Sequence, residues 1–253
     1  MTDVLLAAQS VSKHFGGVKA LRDVSLTIRK GEVYGLIGPN GAGKTTFFNC
    51  LTGLYVPNGG SFTFAGQTLH ADAPQLAAQA GIARTFQNIR LFGNMTALEN
   101  VMVGRHVRTK AGVFGAIFHT PATRAEEAAI RERAMQLLHY VQIEDRADDL
   151  ARNLSYGDQR RLEIARALAT EPRLLCLDEP AAGMNGTETA ELRELIEGIR
   201  KDGTTVLLIE HDVKLVMGLC DRVAVLDYGA LVIEDVPAVV QKDQRVIEAY
   251  LGA

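Results

Sequence analysis

The stretch Gly38-Pro39-Asn40-Gly41-Ala42-Gly43-Lys44-Thr45 restricts the chain to few folds, because it fits G-x-x-x-x-G-K-[ST] at every fixed position. Before it, Glu32 to Ile37 is an almost continuously apolar run of strand length. After it, a helical pattern starts at about Gly43 and stops at Gly53. A strand that enters a glycine-rich turn and leaves as a helix aims backbone N–H groups and a positive helix end at one point. In such a loop Lys44 supplies a compact charge for β- and γ-phosphates, and the Thr45 hydroxyl supplies a ligand for Mg2+. A plain surface turn needs neither the strand nor the helix. With both present the reading is a phosphate cradle whose binding residues are Asn40, Gly41, Ala42, Gly43, Lys44, Thr45 and Thr46.

A second apolar run, Leu174 to Leu177, ends in Asp178-Glu179-Pro180. Two adjacent carboxylates at the end of a buried strand lie where a parallel sheet opens its ligand crevice. Asp178 suits Mg2+, and Glu179 suits the polarisation of an attacking water. A third run, Thr204 to Ile209, leads into Glu210-His211-Asp212 in the same manner. Elsewhere, Val4 to Ala8, Val24 to Ile28 and Ser61 to Phe64 read as short strands. The alternation in Val24-Ser25-Leu26-Thr27-Ile28 is that of a half-buried antiparallel strand. Apolar residues at three-to-four spacing predict a helix over Ala125 to Val141, and another is expected over Glu188 to Arg200. Strands separated by helices imply parallel pairing in a covered sheet, an α/β fold.

The rest of the composition narrows the function classes. With 253 residues and a net charge of −3, the chain has no global attraction for nucleic acid or anionic lipid. Basic residues alternate with acids, as in Arg131-Glu132-Arg133, so no nucleic-acid partner is expected. Cys50, Cys176 and Cys220 stand far apart among apolar neighbours, which suggests buried thiols rather than a zinc site or a disulfide framework. No apolar stretch approaches the roughly 20 residues of a membrane span, and Met1-Thr2-Asp3-Val4 does not open a signal peptide. A soluble, cytoplasmic protein that reaches any membrane by docking is the expectation.

Asn153-Leu154-Ser155-Tyr156-Gly157-Asp158-Gln159-Arg160-Arg161 runs into a helix, and Ser155 and Asp158 have the spacing of a capping box. Here the chain resembles the ATP-binding-cassette (ABC) ATPases, whose LSGGQ-like sequence closes over the γ-phosphate held by the opposite subunit. The resemblance assigns that part to Ser155 and Gly157, with Gln159 beside them. Tyr156 and Asp158 replace the family's glycine and glutamine. The same resemblance gives Phe15 the adenine-stacking position with Val18 next to it, and Gln87 contacts to Mg2+ and the attacking water. Asn185, in Ala181-Ala182-Gly183-Met184-Asn185, takes the place of an aspartate. Glu179, His211 and Gln87 are then the catalytic residues, Thr45, Gln87 and Asp178 the metal ligands, and ATP and Mg2+ the cofactors.

Several stretches carry a closer similarity, to the ATPases of branched-chain amino-acid importers: Phe15 to Leu21, Gly81 to Gln87, Arg160 to Arg166, Asp178 to Asn185, Ile209 to Asp212 and Val246 to Gly252. The segment Arg105 to Arg124 looks like an insertion typical of that subgroup. The resemblance implies a P-loop NTPase core, RecA-like, with an antiparallel β subdomain and an inserted α-helical subdomain. Core and β subdomain would occupy about 1–90 and 155–235, the helical subdomain about 91–154, and a tail about 236–253. It also implies a head-to-tail dimer with a second copy or a paralogous ATPase, integral membrane permease subunits as partners, and a solute-binding protein acting indirectly. The implied location is the cytoplasmic face of the inner membrane and the implied solute a branched-chain amino acid, the alternative being an ABC ATPase for urea, an amide or another amino acid, or one outside transport. Against a GTPase stands the lack of an Asn-Lys-x-Asp base-reading motif. Against an ABC machine of translation or DNA repair stands the lack of a second cassette or a long coiled coil.

Overall fold

The computed structural model describes residues 3–69, 73–105 and 121–251. Most of the expected insertion between Arg105 and Arg124 lies outside the described residues. The chain divides into two compact units, Met1–Arg84 with Arg173–Ala253, and Thr85–Pro172.

The first unit contains two sheets. β1 (Val4–Phe15) and β2 (Val18–Arg29) form a long antiparallel hairpin, extended by β4 (Gly59–Phe64) and β5 (Gln67–Leu69) in the order β2-β1-β4-β5. β1 and β2 are longer than the sequence predicts, because register shifts interrupt their period-two pattern. The second sheet brings together β3 (Val33–Ile37), β6 (Ile82–Arg84), β7 (Leu174–Asp178), β8 (Thr205–Ile209), β9 (Arg222–Asp227) and β10 (Ala230–Asp235). Its order is β10-β9-β3-β8-β7-β6, parallel except where β10 meets β9. β3, β7 and β8 are buried at every residue, which is why each reads as an unbroken apolar run.

α1 (Lys44–Leu51) follows β3 and lies in the core that the sheets share. Phe47 and Phe48 are fully buried there, and the Phe47 ring meets Phe62 of β4 edge-on at 5.6 Å. α2 (Pro74–Ala80), α6 (Gly186–Lys201), α7 (Val213–Leu219), α8 (Pro237–Val240) and α9 (Gln244–Leu251) complete the unit. α6 begins with a full capping box. Asn185 accepts from the Thr187 and Glu188 amides, while the Glu188 carboxylate accepts from the Asn185 amide.

The second unit is built on α3 (Ala97–Arg105), α4 (Pro121–Tyr140) and α5 (Tyr156–Leu168). Ile130, Ala134, Leu137 and Leu138 form the buried stripe of α4 that the three-to-four spacing predicts. The fully buried Asn100 ties the entry of α3. Its amide accepts from Phe92 N at 2.9 Å and donates to Phe92 O at 3.1 Å and Thr96 O at 2.9 Å. α3 and α5 approach closely at Gly104, where an added Cβ would lie 2.3 Å from Arg166 O and 3.1 Å from Ala169 Cβ. Gly104→Ala must push the two helices apart, an overpacking cost of about 1–3 kcal/mol. Thermal and denaturant unfolding read this as a lower midpoint, and an unchanged midpoint would contradict that packing.

Candidate active site

The phosphate loop takes its shape from glycines that no other residue could replace. Gly38 has φ +148°, and a Cβ there would fall 2.0 Å from Leu226 O; Gly43 has φ +103°, and its Cβ would fall 2.5 Å from Ala20 O. The loop backbone is therefore pressed against β9 on one side and β2 on the other. Gly41, at φ +80°, has open space around it, as an approach to a phosphate requires. Ala42 is buried and its carbonyl accepts from Gly229 N at 3.0 Å, while Asn40 and Thr45 are exposed and Thr46 is half-buried. Lys44 is 5% exposed and folds across the loop, its Nζ donating to Gly38 O at 2.7 Å and Pro39 O at 3.0 Å. Burial lowers the pKa of this ammonium, and the carboxylates of Glu179 and Asp178 oppose the shift.

Those carboxylates stand at the end of β7, two strands from the loop across β8. Asp178 is almost fully buried and pairs with Arg84 at 3.2 Å, inside the same unit. Arg84 also donates to Asn49 Oδ1 at 2.7 Å and Thr52 Oγ1 at 2.9 Å, so it ties the carboxylate to the C-terminal end of α1. Glu179 adopts φ +50°, a left-handed conformation rare for a side chain of its size, with its amide donating to Ile209 O at 2.9 Å. This turn directs its carboxylate to His211, whose Nε2 lies 2.5 Å from Glu179 Oε1 at the end of β8. Glu210 braces the two strand ends, accepting from Ala181 N at 2.7 Å and His211 N at 3.1 Å. Its burial pushes the carboxyl pKa up, against the amides that pull it down.

Phe15 and Val18 sit at the tip of the β1–β2 hairpin, 43% and 67% exposed. The Phe15 ring meets Tyr55 edge-on at 5.2 Å, and the Lys13 ammonium lies over it, 5.1 Å from its centroid. α9, with Arg245, Glu248 and Ala249, lines a cavity of about 630 Å³ together with residues of the phosphate loop. The tail residues noted in the sequence thus belong to the loop's surroundings.

In the second unit Ser155 caps α5. Its hydroxyl oxygen accepts from Asp158 N at 3.2 Å and its hydroxyl donates to Asp158 Oδ2 at 2.8 Å. The Asp158 carboxylate is thus engaged by the serine side chain, whereas reciprocal capping boxes form at Asn185 with Glu188 and at Thr96 with Glu99. Ser155 stays exposed, Gly157 is half-buried, and Gln159 is held by its Nε2 donating to Leu154 O at 3.0 Å. Gln87 lies upstream in this same unit, in the segment after β6.

Among the described residues no cluster of three or more His, Cys, Asp or Glu could hold a metal ion. The donor set that does fit one is an exposed threonine hydroxyl on α1 and a carboxylate beside Lys44, completed by water and phosphate oxygens, as Mg2+ prefers. Arg84 and the capping role of Asn185 are the parts of this arrangement that sequence reading missed.

The chain matches the ABC transporter family model over residues 21–182. It is 47% identical, over 100% of its own length and 99% of the other, to the high-affinity branched-chain amino acid transport ATP-binding protein LivG of Salmonella typhimurium. Among solved structures, the ADP conformation of an ATP-binding cassette of an ABC transporter superposes with a TM-score of 0.86 at 31% identity, covering 100% of both chains. A dimeric post-hydrolysis state of another ATP-binding cassette, bound to ADP and Pi, superposes with a TM-score of 0.78 at 26% identity, covering 92% of this chain and 99% of that one. The protein belongs to the ABC transporter ATP-binding family. It is an ATP-binding and ATP-hydrolysing cassette with the P-loop NTPase fold.

Arg84 defines a test of the site's internal support. Arg84→Met leaves the Asp178 carboxylate buried without that guanidinium, a loss of about 3–5 kcal/mol when one partner of a buried pair is removed. Adding Asp178→Asn recovers part of it. Denaturant unfolding that placed Arg84→Met at wild-type stability would rule out this support.

Proposed function

We propose that this chain powers an importer of branched-chain amino acids, docked on integral membrane permease subunits at the cytoplasmic face of the membrane. The observation that carries this reading is the end-to-end similarity, at 47% identity, to a transport ATP-binding protein for those solutes. Among the described residues no helix is long and apolar enough to cross a membrane, and in the proposed assembly the permease subunits form the path.

In the proposed cycle Phe15 and Val18 take the adenine, and Asn40 to Thr46 cradle the phosphates. Thr45 and Asp178 would hold Mg2+, which would supply charge neutralisation at the phosphate oxygens, and Gln87 keeps the metal and water contacts that the family resemblance gives it. Lys44 exchanges its hydrogen bonds to Gly38 O and Pro39 O for phosphate oxygens, which replaces neutral acceptors by anionic ones. Glu179 orients the attacking water and can take its proton, with His211 fixing that carboxylate and reaching toward the γ-phosphate. Ser155 and Gly157 present an exposed helix N-terminus, suited to close over the γ-phosphate of a second cassette arranged head to tail.

Glu179→Gln retains the hydrogen-bonding shape but cannot accept a proton. ATP binding is therefore preserved and turnover falls by about 10²–10⁴. Filter binding of ATP with a steady-state phosphate-release assay checks both, and near wild-type turnover would remove Glu179 from this role. In the assembled transporter, leucine with its binding protein stimulates hydrolysis, whereas urea does not; the opposite pattern would replace the proposed solute.

A further inference from the structure

Arg160 is 2% exposed and is the largest fully buried side chain of the described residues. It lies in the first turns of α5, on the side away from the exposed Ser155. Its Nη1 donates to Phe86 O at 2.6 Å, its Nη2 donates to Gln87 O, and Nη2 also reaches Tyr156 Oη at 3.0 Å. Glu163, 1% exposed and one turn further along, grips the same segment from its N–H side. Its Oε1 accepts from Phe86 N and from Arg90 N, each at 3.3 Å, and its Oε2 pairs with Arg160 Nη1 at 3.3 Å. Arg166 approaches the Glu163 carboxylate at 4.0 Å as a second cation. One buried ion pair therefore holds both the carbonyls and the amides of 86–90 to the helix that Ser155 caps, all within one compact unit.

An ion pair this deeply buried gains little stability over well-packed apolar residues of equal volume. Burial indeed pushes the Glu163 carboxyl pKa up, against the amides and arginines that pull it down. What the pair does provide is direction. A planar guanidinium serves two successive carbonyls and a phenol at once, which a single ammonium does not. Tyr156, where the family has glycine, now has a reason: its hydroxyl accepts from Arg160 and its ring lies under the guanidinium, 5.4 Å from its centroid.

We propose that Arg160 is a positioning residue that locks the Phe86–Gln87 backbone to the first turn of α5, so that Gln87 and Ser155 respond to nucleotide as one body. This rests on the roles of Gln87 and Ser155 given under Proposed function. It adds that one chain's response at Gln87 is handed, through Arg160, to the helix end that it offers to the other cassette.

The test compares Arg160→Lys, which keeps Glu163 neutralised but loses the fork, with the charge-free double variant Arg160→Met/Glu163→Gln. Hydrogen exchange of the nucleotide-free chain reads the link itself, independent of any role for Gln87 or Ser155. In both variants the amides of 86–90 and of the first α5 turn exchange faster by about tenfold or more. ATP affinity and the cooperativity of thermal unfolding stay close to wild type, while kcat falls about tenfold or more with KM little changed. Wild-type exchange at 86–90 would overturn the lock. Faster exchange with unchanged kcat would overturn the coupling while leaving the roles of Glu179 and the phosphate loop intact.

Discussion

The close approach of the Gly38–Thr45 backbone to the strands on either side is the constraint on which the site depends. Leu226 O stands where a side chain of residue 38 would be, and Ala20 O where one of residue 43 would be. Those contacts hold the loop in the left-handed turns from which α1 starts at Lys44. The β1–β2 hairpin is thus more than an appendage. It carries the exposed Phe15 at one point and supports Gly43 at another.

Charged groups at the site rest on specific partners. Lys44 rests on two carbonyls, Asp178 on Arg84, Glu179 on His211, and Glu210 on backbone amides. The Arg84–Asp178 and Glu179–His211 pairs, with Glu210, join the ends of three adjacent strands, β6, β7 and β8. Asp178 and Glu179 both act on Lys44, opposing the fall in pKa that its burial causes.

Much of this was legible in the sequence because it is local. The glycine loop, the fully apolar strands β3, β7 and β8, and the carboxylates and histidine at their ends are contiguous patterns with a physical signature. The Ser155 cap is local too, and its partner is the Asp158 that the spacing names. Its carboxylate, however, accepts the serine hydroxyl, while reciprocal boxes form at Asn185 with Glu188 and at Thr96 with Glu99. Illegible were the pairings that the fold makes across long separations. Arg84 meets Asp178 from 94 residues away, and Arg160 meets Phe86 from 74. An arginine in Arg84-Thr85-Phe86-Gln87 or Arg160-Arg161 carries no periodicity that distinguishes a buried anchor from a solvated surface charge. The helix α5 likewise groups with the helical unit, whereas its sequence position suggested the start of the second core stretch.

The reading that unites these parts is a site completed by a second cassette, with the phosphate loop of one chain facing Ser155 and Gly157 of the other. Subunit complementation tests this most directly. Lys44→Ala and Ser155→Arg are each inactive alone, since every site in either homodimer lacks one half. Mixed, they form a dimer in which one site joins an intact loop to an intact Ser155. The account predicts that the mixture hydrolyses ATP well above the sum of its separate components. A mixture no more active than that sum would contradict it.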